Sequence, residues 1–124
     1  MEYLFVYGTL RQGCSRHNIL MSSGAELVST VICKNMKLLD IGSFPGMIAS
    51  NKEEDTVKGE LYLLRDAEST INILDRIEGV PFLFRREEVD IICNGEPCTA
   101  WAYTYNSSKS RSYDVIESGD FLDV

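Results

Sequence analysis

The carboxylate of Glu78 is the side chain whose position in this sequence best suits proton transfer. It stands at the end of a predicted helix, immediately before Gly79. The negative end of the helix dipole disfavours a carboxylate there, and Asp75, on the same side of the helix, adds like-charge repulsion. Both effects predict a raised pKa for Glu78, which a general base working near neutral pH requires. The alternative is a surface glutamate whose strain is relieved by water, Arg85 or Arg86.

A turn near the N-terminus has the composition of an anion site. A short apolar strand over 4–7 breaks at Gly8, and glycine permits unusual backbone dihedrals. Successive backbone N–H groups in such a turn can point the same way and form an anion-binding nest. A purely structural turn would leave the same pattern, so both interpretations stay open at this point.

The remaining reactive residue types indicate no further site. His17, the one histidine, is interpreted as packing on or capping a short helix, and no Ser-His-Asp arrangement or glycine-rich phosphate loop is present. The cysteines are interpreted as reduced, mostly buried thiols, because their spacing suits neither zinc nor a disulfide. They are Cys14, Cys33, Cys93 and Cys98. We therefore expect neither a metal nor a cofactor.

Length and charge limit the number of domains and the kinds of partner that this protein can have. The chain of 124 residues fits a single domain over 1–124, and 44% hydrophobic residues suffice for a core. The net charge is −7 and the basic residues do not cluster, which argues against nucleic acid as a partner. No apolar run is long enough for a membrane span, and the N-terminus lacks the features of a signal peptide. We expect a cytoplasmic protein, monomeric or weakly homodimeric, that acts on a small molecule.

Hydrophobic periodicity predicts two helices and several strands. The clearer helix covers Ala67–Ile77, with Asp66 as its N-cap and an apolar stripe along one side. A shorter helix is predicted over 16–21, capped by Ser15. Strands are predicted over 4–7, over 25–39 as one long or bent strand, over 47–49 and over 57–64, with a turn at 42–46 and a Ser-rich loop over 106–112.

A hairpin centred on Asn94-Gly95 is the strongest local prediction. This dipeptide is typical of a two-residue type I′ turn, which would place Ile91 opposite Cys98 and Arg86 opposite Tyr103. One face would then be core: Val89, Ile91, Cys93, Cys98, Ala100 and Ala102. The other face mixes aromatic and polar groups, as a ligand cavity does: Phe84, Arg86, Trp101, Tyr103 and Tyr105. An ordinary solvated sheet face would show the same pattern.

Five or six short strands with two helices predict a small, mostly antiparallel α+β domain, closed or partly closed into a barrel. Several segments, taken in order, also resemble the gamma-glutamylcyclotransferase-like superfamily, including its gamma-glutamylamine (AIG2-like) members. They are Val6-Tyr7-Gly8-Thr9-Leu10-Arg11, Gly13 with His17 and Leu20, Pro45-Gly46, Gly59-Glu60-Leu61-Tyr62, Leu74 to Gly79 with Pro81 and Arg86, and Ile116 to Phe121. The resemblance spans essentially the whole chain and implies a mixed β-barrel with two flanking helices.

The resemblance also implies a reaction. In such enzymes a γ-glutamyl amine or amino acid is cyclised to 5-oxoproline and the free amine leaves, without a cofactor. Carried over by position, Glu78 is the catalytic residue, and Tyr7, Gly8, Thr9 and Leu10 bind the substrate. Arg86 and Tyr105 are also expected to bind the substrate. One position departs from the family pattern, because Phe84 stands where a tyrosine is common.

Two other functions fit the same residues. A non-catalytic module could use the cavity to bind a small anionic metabolite, which the missing hydroxyl at Phe84 favours and the retained Glu78 opposes. A protein partner could instead cover the aromatic face of the hairpin, and a concentration-dependent mass would reveal it.

Overall fold

Eight strands and two helices follow one another in the described part of the chain, residues 2–106 and 113–123 of this computed structural model. The Ser-rich loop predicted over 106–112 falls, from 107 onward, outside the described residues. The elements are β1 (Glu2–Val6), α1 (His17–Ser22), β2 (Glu26–Lys34), β3 (Met36–Asp40), β4 (Pro45–Ala49), β5 (Thr56–Leu64), α2 (Ala67–Ile77), β6 (Phe84–Cys93), β7 (Glu96–Tyr105) and β8 (Asp114–Val115).

Five of these strands close into a barrel in the order β1-β5-β2-β6-β7. Each neighbouring pair is antiparallel except the last, in which β1 returns to β7 in parallel with Leu4 opposite Trp101. Beyond β7 the sheet continues through β4, β3 and β8. The predicted α+β class and the mixed, mostly antiparallel barrel with two helices are confirmed.

The β6–β7 hairpin has the predicted register. Ile91 lies opposite Cys98 and Arg86 opposite Tyr103. The turn residues Asn94 and Gly95 have φ values of 53° and 79°, both positive as a type I′ turn requires. Four members of the predicted core face are buried inside the barrel, whereas the two cysteines near the turn are half-buried and exposed.

The single strand predicted over 25–39 is wrong, because the chain breaks at Asn35 into β2 and β3. Asn35 has a φ of 59°, a left-handed conformation that asparagine tolerates better than most residues. Its N–H donates to the Asp55 carbonyl at 2.9 Å, and its carbonyl accepts from the Ser50 N–H at 2.8 Å. These two long-range hydrogen bonds fix the corner at Asn35, where the chain changes direction between β2 and β3. The strand predicted at 47–49 likewise begins earlier, at Pro45, within the predicted turn.

The helix Ala67–Ile77 has the predicted bounds, but its predicted cap is not made. Asp66 precedes the helix without a side-chain hydrogen bond to it, and Gly79 ends it with a φ of 68°. The shorter helix begins one residue later than predicted. Arg16, and not Ser15, occupies its N-cap position. Neither helix in the described residues is long and apolar enough to cross a membrane.

Two hydrophobic clusters share the wall of the barrel. Alternate residues of β1 face opposite sides, so Phe5 belongs to the cluster inside the barrel and Leu4 and Val6 to the cluster under the helices. Leu74 on the longer helix and Leu20 on the shorter one are fully buried in this second cluster. The helices are therefore fixed against the outer face of the barrel, close to the end of β1.

Candidate active site

A cavity of about 80 Å³ opens where β1 ends, between the second cluster and the end of α2. Its wall combines the turn after β1, the end of the longer helix and the start of β6. The lining residues are Phe5, Val6, Tyr7, Gly8, Thr9, Leu10, Arg16, Phe44, Pro45, Ile77, Glu78, Leu83, Phe84 and Tyr103. Most are apolar, and the two charged members are Arg16 and Glu78.

The turn at 7–10 lines this cavity and is closed by its own backbone hydrogen bonds. The carbonyl of Gly8 accepts from the Arg11 N–H at 3.0 Å, and that of Thr9 accepts from the Arg16 N–H at 2.9 Å. In contrast, the N–H groups of Gly8, Thr9 and Leu10 donate none of the turn hydrogen bonds of the described chain. A Cβ at Gly8 would lie 2.8 Å from Pro45 Cγ, so only glycine fits there. The turn is thus folded back on itself, and within the described residues three of its N–H groups at the cavity have no backbone partner, as in an anion-binding nest.

Tyr7 fixes the turn through its hydroxyl group. The phenol donates to the Tyr103 carbonyl and accepts from the Met47 N–H at 3.1 Å. Burial raises the pKa of Tyr7, so the phenol stays protonated. Both polar contacts of the hydroxyl are to backbone groups, and Tyr7 therefore acts as part of the wall and joins β1, β4 and β7.

Among the described lining residues, Glu78 is the one that brings a carboxylate to the cavity. It caps the longer helix, with its N–H bonded to the Leu74 carbonyl at 2.9 Å, and only 8% of its surface is exposed. Burial raises the pKa of Glu78, and the positive charge of Arg16 partly lowers it again. Arg16 Nη1 lies 3.6 Å from Glu78 Oε1. The predicted direction of the shift is confirmed, while its predicted cause is not, because burial is the main effect.

Asp75 is occupied elsewhere and does not act on Glu78 as predicted. Its Oδ1 accepts from Arg86 Nε at 3.0 Å and from the Tyr103 hydroxyl at 2.8 Å. The guanidinium of Arg86 also lies over the Trp101 ring, 4.5 Å from its centre. The guanidinium of Arg86 balances the negative charge of Asp75. The hydrogen bond from the Tyr103 hydroxyl to Asp75 holds the Tyr103 ring in the cavity wall. Glu78 is paired with neither of the arginines proposed from the sequence.

The structure brings most, but not all, of the predicted site residues together. The turn residues and Glu78 line one cavity, whereas Arg86 and Tyr105 do not line it. Tyr105 is buried behind Phe84, with the two ring centres 5.6 Å apart in an edge-to-face arrangement. Phe84 itself lines the cavity and offers no hydroxyl.

Arg16 is the functional candidate that sequence reasoning missed. It lies outside every motif, and its part in the site arises because its backbone N–H closes the turn onto Thr9. The turn from Thr9 to Arg16 thereby places the Arg16 side chain at the cavity, beside Glu78. A cation shortly after the turn was the only available sequence signal.

A buried ion-pair network supports the turn from behind. Arg11 is 5% exposed, and its guanidinium contacts Asp120 Oδ1 at 2.7 Å and Glu60 Oε2 at 3.4 Å. The other oxygen of Glu60 accepts from the Gln12 N–H and the Tyr62 hydroxyl, each at 3.0 Å. These ion pairs and hydrogen bonds therefore connect the segment after β1 both to β5 and to the C-terminal tail.

Comparisons with known proteins agree with this geometry. A family model described as gamma-glutamyl cyclotransferase, AIG2-like, matches residues 4–123. A Vibrio cholerae protein described as a candidate gamma-glutamylcyclotransferase is 37% identical over 123 residues, covering 98% of this chain and 96% of the relative. A Niallia circulans protein is 33% identical over 113 residues, covering 86% of this chain and 68% of the relative. It is named gamma-L-glutamyl-butirosin B gamma-glutamyl cyclotransferase.

A solved structure shares the fold. The crystal structure of an uncharacterized protein from Pyrococcus horikoshii superimposes with a TM-score of 0.73 at 26% identity. The match covers 98% of this chain and 90% of that protein. The barrel, its helices and its extra strands are therefore an arrangement that an experimentally determined relative also has.

Proposed function

This chain belongs to the AIG2-like gamma-glutamyl cyclotransferase family, and we propose that it cyclises the γ-glutamyl group of a small amine or amino acid to 5-oxoproline. The observation that carries the proposal is one cavity holding both a buried carboxylate of raised pKa and a turn of free backbone donors. The substrate and the roles of the individual residues are part of the proposal.

The proposed reaction is an intramolecular acyl transfer. The α-amino nitrogen of the substrate attacks the γ-carbonyl carbon, a new C–N bond closes the five-membered lactam, and the original amide C–N bond breaks. The α-ammonium nitrogen loses two protons, one before it attacks and one as it becomes the lactam N–H, and the departing nitrogen gains two and leaves as an ammonium group. No water is consumed and no electron is transferred, so the residues of the cavity need only position the substrate and transfer these two protons.

Glu78 is the group that transfers these protons, one at a time. The substrate ammonium must be deprotonated before it can attack, and a carboxylate whose pKa is raised by burial is a stronger base than an exposed one. After accepting the proton, the same carboxyl group can deliver it to the leaving nitrogen. Loss of a general base of this kind typically lowers the rate by about 10²–10⁴-fold.

The turn at 7–10 stabilises negative charge on the substrate. Its free N–H groups can donate to the α-carboxylate of the glutamyl group or to the oxyanion that develops on the γ-carbonyl. A positioned donor of this type contributes roughly 3–4 kcal/mol. The small, mostly apolar cavity also favours a folded substrate in which the nitrogen meets the carbonyl, an effect of proximity.

The test compares the wild type with Glu78→Gln on a panel of γ-glutamyl amides and measures release of 5-oxoproline. We expect release by the wild type and a loss of at least about 10²-fold in the variant. Glu88→Gln is the matched control, because Glu88 is an exposed carboxylate on β6 that does not line the cavity. Near-normal turnover by Glu78→Gln with a normal unfolding temperature would remove Glu78 from the mechanism.

A second candidate function, a metabolite-binding module, is favoured by Phe84. This ring lines the cavity where a tyrosine hydroxyl could have contacted a ligand. Clear binding of γ-glutamyl ligands without any 5-oxoproline would support this alternative, and Phe84→Tyr would then be the first variant to assay for restored turnover.

A further inference from the structure

Within the described residues, Arg16 is the only cation that lines the cavity. We propose that Arg16 selects substrates whose leaving group carries a carboxylate, that is γ-glutamyl amino acids, over γ-glutamyl amines with neutral or cationic leaving groups. This inference rests on the proposed cyclotransferase function and names the substrate class for it.

The side chain of Arg16 lies beside Glu78 and is far more exposed than the carboxylate. Its Nη1 lies 3.6 Å from Glu78 Oε1, while 45% of the Arg16 side chain is exposed against 10% of the Glu78 side chain. The guanidinium is charged, but it donates no hydrogen bond to any group in the described residues, as 3.6 Å exceeds that distance. Its five N–H donors are therefore available to a ligand.

The chemistry of the substrate places a leaving-group carboxylate next to these donors. Glu78 must reach the leaving nitrogen to protonate it, so this nitrogen lies beside Glu78. In a γ-glutamyl amino acid the carboxylate is one carbon away from that nitrogen. The neighbour of Glu78 on the open side is Arg16, and arginine binds carboxylates through two parallel hydrogen bonds. A cationic leaving group would instead meet a like charge.

Among the residues that the structure describes, the two other arginines near the site are not available for this role. Arg11 is buried against Glu60 and Asp120, and Arg86 is bound to Asp75 outside the cavity. The α-carboxylate of the glutamyl half has its own donors in the turn at 7–10. A carboxylate on the leaving group is thus the anion left for Arg16 to bind.

The experiment measures kcat/KM for two substrates that differ only in this charge, γ-glutamyl-alanine and γ-glutamyl-alaninamide. We expect the wild type to prefer the carboxylate about tenfold and Arg16→Gln to have a ratio near one, as is typical for loss of a charge-assisted hydrogen bond. Arg16→Lys should lie between them. The ratio cancels any effect of Arg16 on Glu78, because both substrates need the same base.

Arg85→Gln is the matched control, since Arg85 is an exposed cation on β6 that does not line the cavity. It should keep the wild-type ratio. If Arg16→Gln lowers kcat/KM equally for both substrates, Arg16 binds the shared glutamyl half or acts only through Glu78, and the inference is wrong.

Failure of the proposed function gives a different result. If the wild type turns over neither substrate, calorimetric affinities for the same two ligands decide the question. Tighter binding of the carboxylate by the wild type, lost in Arg16→Gln, would still support selection by charge. Equal affinities for both ligands, or no binding of either, would overturn it.

Discussion

The pKa of Glu78 is governed by two surroundings that act in opposite directions. Burial against the apolar wall raises it, because a carboxylate is poorly solvated there, and the nearby guanidinium of Arg16 lowers it. A base that is too strongly buried would stay protonated at neutral pH, and one that is fully paired would be a weak base. The half-exposed arginine therefore opposes the effect of burial on the Glu78 carboxylate, although burial is the larger of the two effects.

Removal of that arginine should move the pH dependence of turnover. Glu78 must be ionised to accept a proton, so kcat/KM falls as the pH drops through its pKa. Arg16→Gln removes the effect that lowers this pKa, and the acidic limb of the profile should therefore shift to higher pH. The profile is measured with γ-glutamyl-alaninamide, which lacks the second carboxylate. Arg85→Gln should leave the limb in place, and an unmoved limb in Arg16→Gln would contradict the assigned influence.

At this scale the sequence predicted the raised pKa of Glu78 but not the neighbours of its carboxylate. Glu78 could be found because a carboxylate at a helix end before Gly79 is a local feature. Its burial, and the pairing of Asp75 with Arg86, depend on where the helix packs and could not be read from spacing. For the same reason, sequence reasoning assigned Arg86 to the site and passed over Arg16.

At the scale of elements, the close contact between β1 and β5 requires a residue without a side chain at Gly59. A Cβ at Gly59 would lie 2.2 Å from the Val6 carbonyl oxygen and 2.8 Å from the Phe5 ring. The Val6 carbonyl belongs to the backbone and cannot move without displacing the strand. Since the turn at 7–10 follows Val6 directly, this close approach also sets the position of the turn at the cavity.

Gly59→Ala should therefore destabilise the protein by about 1–3 kcal/mol, the usual cost of overpacking a core. The measurement is the free energy of unfolding in urea. Thr99→Ala, at an exposed position of β7, is the control and should stay within about 0.5 kcal/mol of the wild type. An unchanged midpoint for Gly59→Ala would mean that β1 and β5 do not approach as closely as described.

Local chemistry explains which elements were predictable. The hairpin register follows from two adjacent residues that prefer positive φ, and the longer helix follows from its apolar stripe and Gly79. The corner at Asn35 follows from bonds to Asp55 and Ser50, which are distant in sequence. The run of β-forming residues on both sides of Asn35 does not indicate this break, so β2 and β3 were predicted as one strand.

Over the whole molecule, the ion pairs of Arg11 connect the turn after β1 with the C-terminal tail. Burial alone would raise the pKa of Asp120, but hydrogen bonds from Arg11 and the Leu122 N–H, and the charges of Arg11 and Lys58, lower it below its usual value. A carboxylate whose pKa is lowered by folding stabilises the folded state above its unfolded pKa. That contribution is lost as the pH falls through the lowered, folded-state pKa.

Asp120→Asn should thus lower the free energy of unfolding at pH 7, by on the order of 1 kcal/mol. The difference from the wild type should narrow on acidification below about pH 4, where the wild-type carboxylate becomes protonated. Urea unfolding at several pH values tests this, with the exposed Asp114→Asn as the control. A difference between Asp120→Asn and the wild type that does not depend on pH would contradict the assigned ion pair.

The parallel closure between β1 and β7 has a consequence for biosynthesis. β1 emerges from the ribosome before its partners, since Glu2 pairs with Leu64 and Leu4 with Trp101. Until β7 has been translated, one edge of the strand Glu2–Val6 has no partner strand. An unpaired edge of this kind can aggregate or bind chaperones. Tyr103 of β7 is part of the cavity wall, so a nascent chain that stalls before Trp101 has an incomplete cavity, although Glu78 and the turn at 7–10 have already been made.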